Sequence, residues 1–156
     1  MDIRPAVIGD APAACEVLRR SIVELCAPDH RNEPAILEQW LANKTPEIVA
    51  SWIGKPGTTM LLAVEDDAVL GVGSVTDAGE ITLNYVSPDA RLRGVSRTLI
   101  GALEDRARHL GNARCHLSST DTARQFYLGL GYTEDGPPAC KFGTTGGYPM
   151  SKALVT

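Results

Sequence analysis

The sequence of 156 residues lacks the features that are typical of membrane, secreted and nucleic-acid-binding proteins. No apolar run is long enough to cross a bilayer, and the N-terminus has no basic-then-apolar signal pattern. The four cysteines are widely spaced, which predicts neither a zinc ribbon nor a disulfide framework. The formal net charge of -4 disfavours a nucleic-acid partner. We therefore expect a cytoplasmic protein that binds no membrane, nucleic acid or metal.

The glycine signatures of two nucleotide-binding loops are absent as well. No Gly-Lys-Ser/Thr follows Gly94, which excludes a P-loop at that position. The chain contains no Gly-x-Gly-x-x-Gly, which excludes the dinucleotide fingerprint. Gly71 and Gly73 lie inside a predicted strand and lack the third glycine, so we interpret them as structural residues.

What remains is the composition of an ordinary globular protein, with 44% hydrophobic and 22% charged residues. The length predicts one domain, residues 1–156, that buries a real core. Apolar spacing predicts helices over 10–25, with Asp10 as the cap, and over 34–42, 46–53, 95–110 and 122–130. Turn signals and alternation predict strands over 3–8, 59–64, 69–75, 80–86, 113–118, 132–134 and 148–154, and residues 26–32 are predicted as a polar loop.

Two parts of this pattern predict how the strands pair. Residues 59–86 contain three strands joined by short turns, which is typical of an antiparallel meander. The strand 80–86, the helix 95–110 and the strand 113–118 form a crossover, so those two strands should lie parallel. We therefore predict an α+β (α/β) fold, in which a mixed, mostly antiparallel sheet of about six to seven strands is flanked by about four to five helices.

The stretch 85–96 joins one of these strands to a long predicted helix. Gly94 lacks a Cβ, so phosphates can approach the main chain, and the N–H groups of residues 92–96 are unpaired at the helix start. The helix dipole attracts an anion by ~1 kcal/mol. Positive charge is added by Arg91, Arg93 and Arg97. The pattern is consistent with a phosphate site or with a strand-loop-helix junction that carries solvated arginines.

At these residues the chain resembles the GNAT superfamily of acetyl-CoA-dependent N-acetyltransferases. The family's CoA signature is similar to Val86-x-Pro88-x-x-Arg91-x-x-Gly94-x-Ser96, in which Ser96 stands where most members have glycine or alanine. Its second motif is similar to Ala123-x-x-Phe126-Tyr127-x-x-x-Gly131-Tyr132. The resemblance covers nearly the whole chain. It implies that the strands 80–86 and 113–118 splay apart and that acetyl-CoA enters between them.

The resemblance also implies a place for each part of acetyl-CoA. Its pantetheine arm would pair with the strand around Tyr85 and Val86, where a backbone N–H would polarise the thioester carbonyl. Its pyrophosphate would lie on Leu92, Arg93, Gly94, Val95 and Ser96, with Arg91 and Arg97 adding charge. Thr120 stands where many members carry an asparagine beside the pantetheine, and it either takes that place or caps the following helix.

Acetyl transfer to an amine needs a deprotonated amine, a stabilised oxyanion and a proton for the leaving thiolate. Tyr127 resembles the family tyrosine that gives this proton, and its structural alternative is a core aromatic residue. By strand period Glu80 and Asn84 share one face, so the base is either Glu80 or a water that Asn84 orders. Asp29 and His30, in the predicted loop between the first helices, are further candidates.

The resulting hypothesis is an N-acetyltransferase that acts on a primary amine of a small molecule or protein, by direct attack in a ternary complex. The alternative is a non-catalytic acyl-CoA-binding or regulatory module on the same fold. The loops 27–33 and 136–147 are expected to select the acceptor. A cationic acceptor would suit the acids Asp29, Glu33 and Glu134. The surface of residues 25–57 and the last strand are candidates for a homodimer contact.

Overall fold

The computed structural model describes residues 1–139 and 147–154, and its elements follow the predicted order. The strands are Asp2–Pro5 (β1), Thr58–Glu65 (β2), Ala68–Thr76 (β3), Glu80–Val86 (β4), Arg114–Ser119 (β5), Thr133–Glu134 (β6) and Tyr148–Ala153 (β7). The helices are Ala11–Leu25 (α1), Ala27–His30 (α2), Pro34–Leu41 (α3), Pro46–Trp52 (α4), Val95–His109 (α5) and Arg124–Gly129 (α6). None of these helices is both long enough and apolar enough to cross a bilayer.

The strands of the described residues form one sheet in the order β1-β2-β3-β4-β5-β7-β6. Every neighbouring pair is antiparallel except β4 and β5, which are parallel as the crossover predicts. Pro5 lies in the edge strand β1, where a missing N–H is tolerated. The mixed, mostly antiparallel sheet confirms the predicted fold class.

One face of the sheet is covered by α1 and α4. Ala14 and Leu18 of α1 pack with Val49 of α4 onto Leu62 of β2 and Val72 of β3. All five side chains are fully buried, and each larger aliphatic side chain stabilises the fold by about 1.5–3 kcal/mol through burial. The apolar stripe of α1 therefore holds both helices against the sheet.

The other face of the sheet carries α5, which approaches β3 closely because two of the β3 residues that face it are glycines. A Cβ added to Gly73 would lie 2.8 Å from Leu103 Cδ1 and 3.0 Å from Leu99 Cγ. Both leucines are fully buried, so the core has little room to move away. Gly71 and Gly73 therefore serve helix packing, as their interpretation as structural residues predicts.

Two local predictions near the first helix are wrong. Asp10 precedes α1, but its carboxylate accepts from the Arg4 guanidinium at 2.8 and 2.9 Å and from the Val7 N–H at 2.8 Å, instead of capping the helix. The bond from Arg4 is the main reason that the pKa of Asp10 is lowered to about 2. Within the predicted loop 26–32, residues 27–30 form the helical turn α2.

Candidate active site

The parallel strands β4 and β5 pair only at their first residues and then separate. Their ladder joins Glu80 to His116 and Ile81 to Leu117, with no later pair among the described residues. From residue 82 onward, the edge of β4 that faces β5 therefore has no strand partner, while β3 still pairs along its other edge. We call the space between these strands and α6, of about 180 Å³, the splay cleft. An unpaired strand edge can bond an extended ligand through its main chain.

Tyr127 of α6 reaches across the splay cleft to β4. Asn84 Nδ2 donates to the Tyr127 hydroxyl oxygen at 3.0 Å, and the buried Asn84 Oδ1 has no partner among the described residues. Because the hydroxyl accepts this bond, its own proton remains available for a third group. Burial raises the pKa of Tyr127 to about 12, so the phenol stays protonated at neutral pH. The pair is therefore arranged as a proton donor inside the cleft.

The loop between β4 and α5 exposes its main chain. Leu92 and Gly94 both have left-handed backbone conformations, with φ of 64° and 77°. Leu92 is 92% exposed, so no burial of its side chain offsets a strain of about 1–2 kcal/mol. A Cβ added to Gly94 would meet no atom within 4 Å. The N–H groups at the start of α5 are thus open to an approaching anion.

The predicted cofactor residues fall into two groups. The splay cleft is lined by Tyr85, Val86, Ser96, Thr120 and Tyr127. The adjoining loop and first helical turn carry the others, which do not line it: Arg91, Leu92, Arg93, Gly94, Val95 and Arg97. Thr120 Oγ1 accepts from the Ala123 N–H at 3.1 Å in the turn before α6, whose N-cap residue is Ala123, and Thr120 also lines the splay cleft. Arg93 is paired with Glu65 at 2.8 Å.

A second cavity, of about 440 Å³, opens beside the splay cleft. It lies between α3, α4 and strands β2–β5, and both tryptophans of the chain, Trp40 and Trp52, line it. We call it the tryptophan cavity. It shares six lining residues with the splay cleft: Thr82, Leu83, Tyr85, Ser118, Ser119 and Thr120. Ligands in the two spaces would therefore meet where β4 and β5 separate.

The prediction that Glu80 and Asn84 share one face of β4 is wrong. The register of β3 against β4 skips Thr82, which forms a bulge. Ile81 therefore packs with the α5 leucines, whereas Leu83 packs with the α1 cluster on the opposite face. Glu80 is exposed at the paired end of β4 and lines neither space. Its assignment as the base thus has no support from the geometry.

Asp29 and His30 bind main chain instead of facing the splay cleft. The fully buried Asp29 carboxylate accepts from the N–H groups of Asp121 at 2.6 Å and Thr122 at 3.2 Å, and from the Thr122 hydroxyl. The His30 ring nitrogens contact a carbonyl oxygen at 2.8 Å and a backbone N–H at 2.9 Å. Both side chains are therefore occupied in holding α2 and the loop before α6.

The remaining acids predicted to suit a cationic acceptor also lie away from both spaces. Glu33 pairs with Arg31 at 3.5 Å, and Glu134 pairs with Arg124. Neither acid lines the splay cleft or the tryptophan cavity. The predicted acceptor loop 136–147 lies partly outside the described residues, which omit 140–146.

Sequence reasoning missed the tryptophan cavity, although one signal was present. The only two tryptophans of the chain both fall in the segment 34–53, for which the sequence predicts two helices and a partner surface. Large aromatic side chains that are concentrated in one segment are typical of a binding surface. The partners that complete the cavity, on β2 to β5, are distant in sequence and could not be assigned from spacing.

Comparison with known proteins agrees with this geometry. Residues 26–154 match the sequence profile of the family described as "Acetyltransferase (GNAT) domain". The chain belongs to this GNAT family. The match confirms the resemblance to this family. None of the curated protein sequences matches the chain.

Several solved structures share this GNAT fold. A GCN5-related N-acetyltransferase from Rhodopseudomonas palustris is 28% identical with a TM-score of 0.87, covering 98% of this chain and 95% of that one. PaiA N-acetyltransferase from Thermoplasma acidophilum, solved with coenzyme A, is 19% identical with a TM-score of 0.83, and the match covers 97% of this chain and 98% of that one. Aminoglycoside 6'-N-acetyltransferase from Enterococcus faecium is 15% identical with a TM-score of 0.73, and the match covers 100% of this chain and 98% of that one.

Proposed function

We propose that this chain is an N-acetyltransferase that moves the acetyl group of acetyl-CoA to a primary amine by direct attack in a ternary complex. The observation that carries the proposal is the Tyr127 hydroxyl, which Asn84 holds inside the splay cleft with its proton available. The tryptophan cavity supports it, because two adjoining spaces allow both substrates to be bound at once. Such positioning removes much of the barrier to a two-substrate reaction.

The chemistry of acetyl-CoA fits the residues present. The amides of its extended pantetheine arm suit the unpaired edge of β4 over residues 82–86. Its pyrophosphate suits the exposed main chain around Gly94, next to the guanidinium groups of Arg91 and Arg97. Ser96, which lines the cleft, can add a hydroxyl to the same phosphates. The thioester supplies the activated acetyl group.

The transfer balances with Tyr127 as the acid. The amine nitrogen bonds to the carbonyl carbon, the carbon–sulfur bond breaks, and the electron pair of that bond stays on sulfur. Sulfur takes the Tyr127 hydroxyl proton, the nitrogen loses one proton to solvent, and solvent restores the phenol. A free N–H near Val86 on the open edge of β4 stabilises the developing oxyanion.

Solvent is the proposed acceptor of the amine proton. Among the described residues that line either space, none is an aspartate, glutamate or histidine. The unpartnered Asn84 Oδ1 can order a water molecule at the reacting end of the cleft. Of the two bases predicted from the sequence, we therefore propose the water ordered by Asn84 and not Glu80.

The decisive experiment compares two variants that remove the same hydroxyl group. We expect Tyr127→Phe to lower kcat by about 10²- to 10³-fold, the usual contribution of a general acid, with the acetyl-CoA Kd from calorimetry unchanged. Tyr148→Phe is the control, because Tyr148 lines neither space and its hydroxyl donates to Asp121. Release of free thiol from acetyl-CoA measures turnover.

Two results would contradict the proposal in different ways. Unchanged turnover of Tyr127→Phe would remove the acid role and leave the enzyme assignment intact. Acetyl-CoA binding without thiol release, over polyamines, amino acids, aminoglycosides and peptides, would replace the enzyme by an acyl-CoA-binding module.

A further inference from the structure

The charged side chains that line the tryptophan cavity are all positive. They are Lys44 and Lys55, and no aspartate or glutamate is among the described lining residues. The segments outside the description, 140–146 and 155–156, contain no acidic residue either. The cavity is thus a positive site in a chain whose formal net charge is -4. Such a local reversal of sign concentrates anions and repels cations.

The two lysines occupy different depths of the cavity. Lys44 is only 6% exposed, and its Nζ donates to Asn43 Oδ1 at 2.7 Å. Lys55 follows α4 at the exposed end of the lining, and it forms no ion pair with any described residue. Because Lys55 is not paired with a described carboxylate, an anionic group in the cavity can pair with it without breaking an existing ion pair.

The remaining walls of the tryptophan cavity combine apolar and hydroxyl-bearing side chains. Trp40, Trp52 and Met60 supply large apolar surfaces, and the volume of about 440 Å³ lies in the ordinary range of small-molecule sites, about 300–1,000 Å³. Ser74 and Thr76 of β3 add hydroxyl groups. The composition suits a small ligand with both an apolar portion and an anionic group.

The tryptophan cavity also opens towards the site of the reaction. It meets the splay cleft at residues such as Thr82 and Tyr85, where the acceptor nitrogen must lie. An amine held in the tryptophan cavity is therefore directed at the thioester.

We infer that the acceptor is a small primary amine that also carries an anionic group, such as a carboxylate, and an apolar portion. The anionic group pairs with Lys55, the apolar portion packs on Trp40 and Trp52, and the amine points into the splay cleft. The inference rests on the proposed N-acetyltransferase function. It separates this chain from an enzyme for polycationic acceptors, since such an acceptor would face two like charges.

Matched acceptors test the charge preference. Phenylalanine, phenylalaninamide and 2-phenylethylamine share an aromatic group and an amine, and only phenylalanine has the carboxylate. With rates expressed per concentration of neutral amine, we expect kcat/KM for phenylalanine to exceed that for either analogue by at least about tenfold, the usual contribution of a charged hydrogen bond, and spermidine to be the poorest acceptor. Equal rates for the three aromatic amines, or a preference for spermidine, would overturn the inference.

A variant at the exposed lysine connects the preference to the site. Lys55→Gln should raise KM for phenylalanine about tenfold and leave KM for 2-phenylethylamine unchanged. Lys55→Arg keeps the positive charge, so its KM for phenylalanine should be close to that of the unchanged protein. Arg31→Gln removes the same charge at an exposed position that lines neither space, and should change neither KM. A rise in the acetyl-CoA Kd of Lys55→Gln would instead assign this lysine to the cofactor and overturn the inference.

Tryptophan fluorescence separates failure of this inference from failure of the proposed function. Because both tryptophans line the cavity, quenching by phenylalanine reports binding without turnover. Lys55-dependent quenching without thiol release from any amine would contradict acetyl transfer and support the anion site. Turnover of uncharged or cationic amines, without any quenching by phenylalanine, would support acetyl transfer and overturn the anion site.

Discussion

Asn84 and Tyr127 show how a single hydrogen bond selects a chemical role. The Asn84 amide N–H can only donate, so the Tyr127 oxygen accepts at 3.0 Å and its proton is directed elsewhere. Burial raises the pKa of Tyr127 to about 12, which keeps that proton in place at neutral pH. An exposed tyrosine would satisfy neither condition, since water would compete for both the oxygen and the proton.

The same site predicts how activity depends on pH. Because no carboxylate or histidine of the described residues lines either space, kcat/KM should rise with the deprotonation of the acceptor itself. The midpoint of the rise should differ between two accepted amines, near about 10 for a lysine-like alkylamine and near about 8 for a peptide α-amine. Ionisation of Tyr127 should lower activity only towards pH 12, above both midpoints. The measurement is kcat/KM against pH for both acceptors.

Glu80 provides the control for this pH profile. Glu80→Gln removes the predicted base without changing its size, and we expect kcat/KM to change by less than about twofold at every pH, as is usual for an exposed site away from the chemistry. A common midpoint for both acceptors that disappears in Glu80→Gln would instead identify this carboxylate as the base.

At the scale of elements, the site depends on the separation of β4 from β5. The bulge at Thr82 turns the second half of β4, and the strand ladder to β5 ends at the residue before it. On the other side of the gap, Asp29 of α2 binds the main chain of Asp121 and Thr122 and so holds the start of α6. The cleft is therefore kept open by contacts between elements that are far apart in sequence.

The two ends of α5 provide a matched test of the phosphate loop. Gly94 and Gly111 flank this helix with φ of 77° and 90°, and a Cβ added to either meets no atom within 4 Å. Substitution by alanine should therefore destabilise the fold equally, by about 1 kcal/mol of left-handed backbone strain. Only Gly94→Ala should weaken acetyl-CoA binding, by about tenfold or more, because its methyl group occupies the approach of the pyrophosphate.

Calorimetric titration with acetyl-CoA and thermal unfolding of both variants measure the two effects. An acetyl-CoA Kd that rises equally in Gly94→Ala and Gly111→Ala would attribute the loss to general destabilisation. An unchanged Kd in Gly94→Ala would place the pyrophosphate elsewhere.

At the scale of the whole molecule, three of the four tyrosines are tied to the core. Burial is the main reason that the pKa values of Tyr85, Tyr127 and Tyr132 are raised. A hydrogen bond from the Tyr132 hydroxyl to Glu104 at 2.7 Å raises the pKa of Tyr132 further. A folded-state pKa above the ordinary value of about 10 means that the folded state holds these protons more tightly. The resulting stability is fully present below pH 10 and is lost as the pH rises above it.

Alkaline titration should therefore be cooperative. We expect phenolate absorbance to increase together with the loss of far-UV circular dichroism, because these three tyrosines ionise when the fold opens. Tyr148, which is only partly buried at the edge of the core, should ionise separately and serves as the internal reference. Ionisation of all four tyrosines near pH 10 with an unchanged circular dichroism spectrum would contradict the burial that supports the site.

The sequence by itself determined the order of the elements other than α2, the parallel crossover, the exposed loop at Gly94 and the family. Each of these depends on residues that are close in the chain, such as a turn signal or the spacing from Arg91 to Ser96. Helix and strand periods are local properties, so the alternation of apolar residues predicts the elements without knowledge of their neighbours.

Only the tertiary structure decided which side chains meet. The bulge at Thr82 separates Glu80 from Asn84, although strict alternation predicts that they share a face. Asp29 appears in the sequence as a free loop acid, and it becomes a buried anchor only through contacts with residues 121 and 122. The tryptophan cavity joins α3 and α4 to four strands. Local spacing cannot specify such contacts, because they arise from the register and the packing of distant segments.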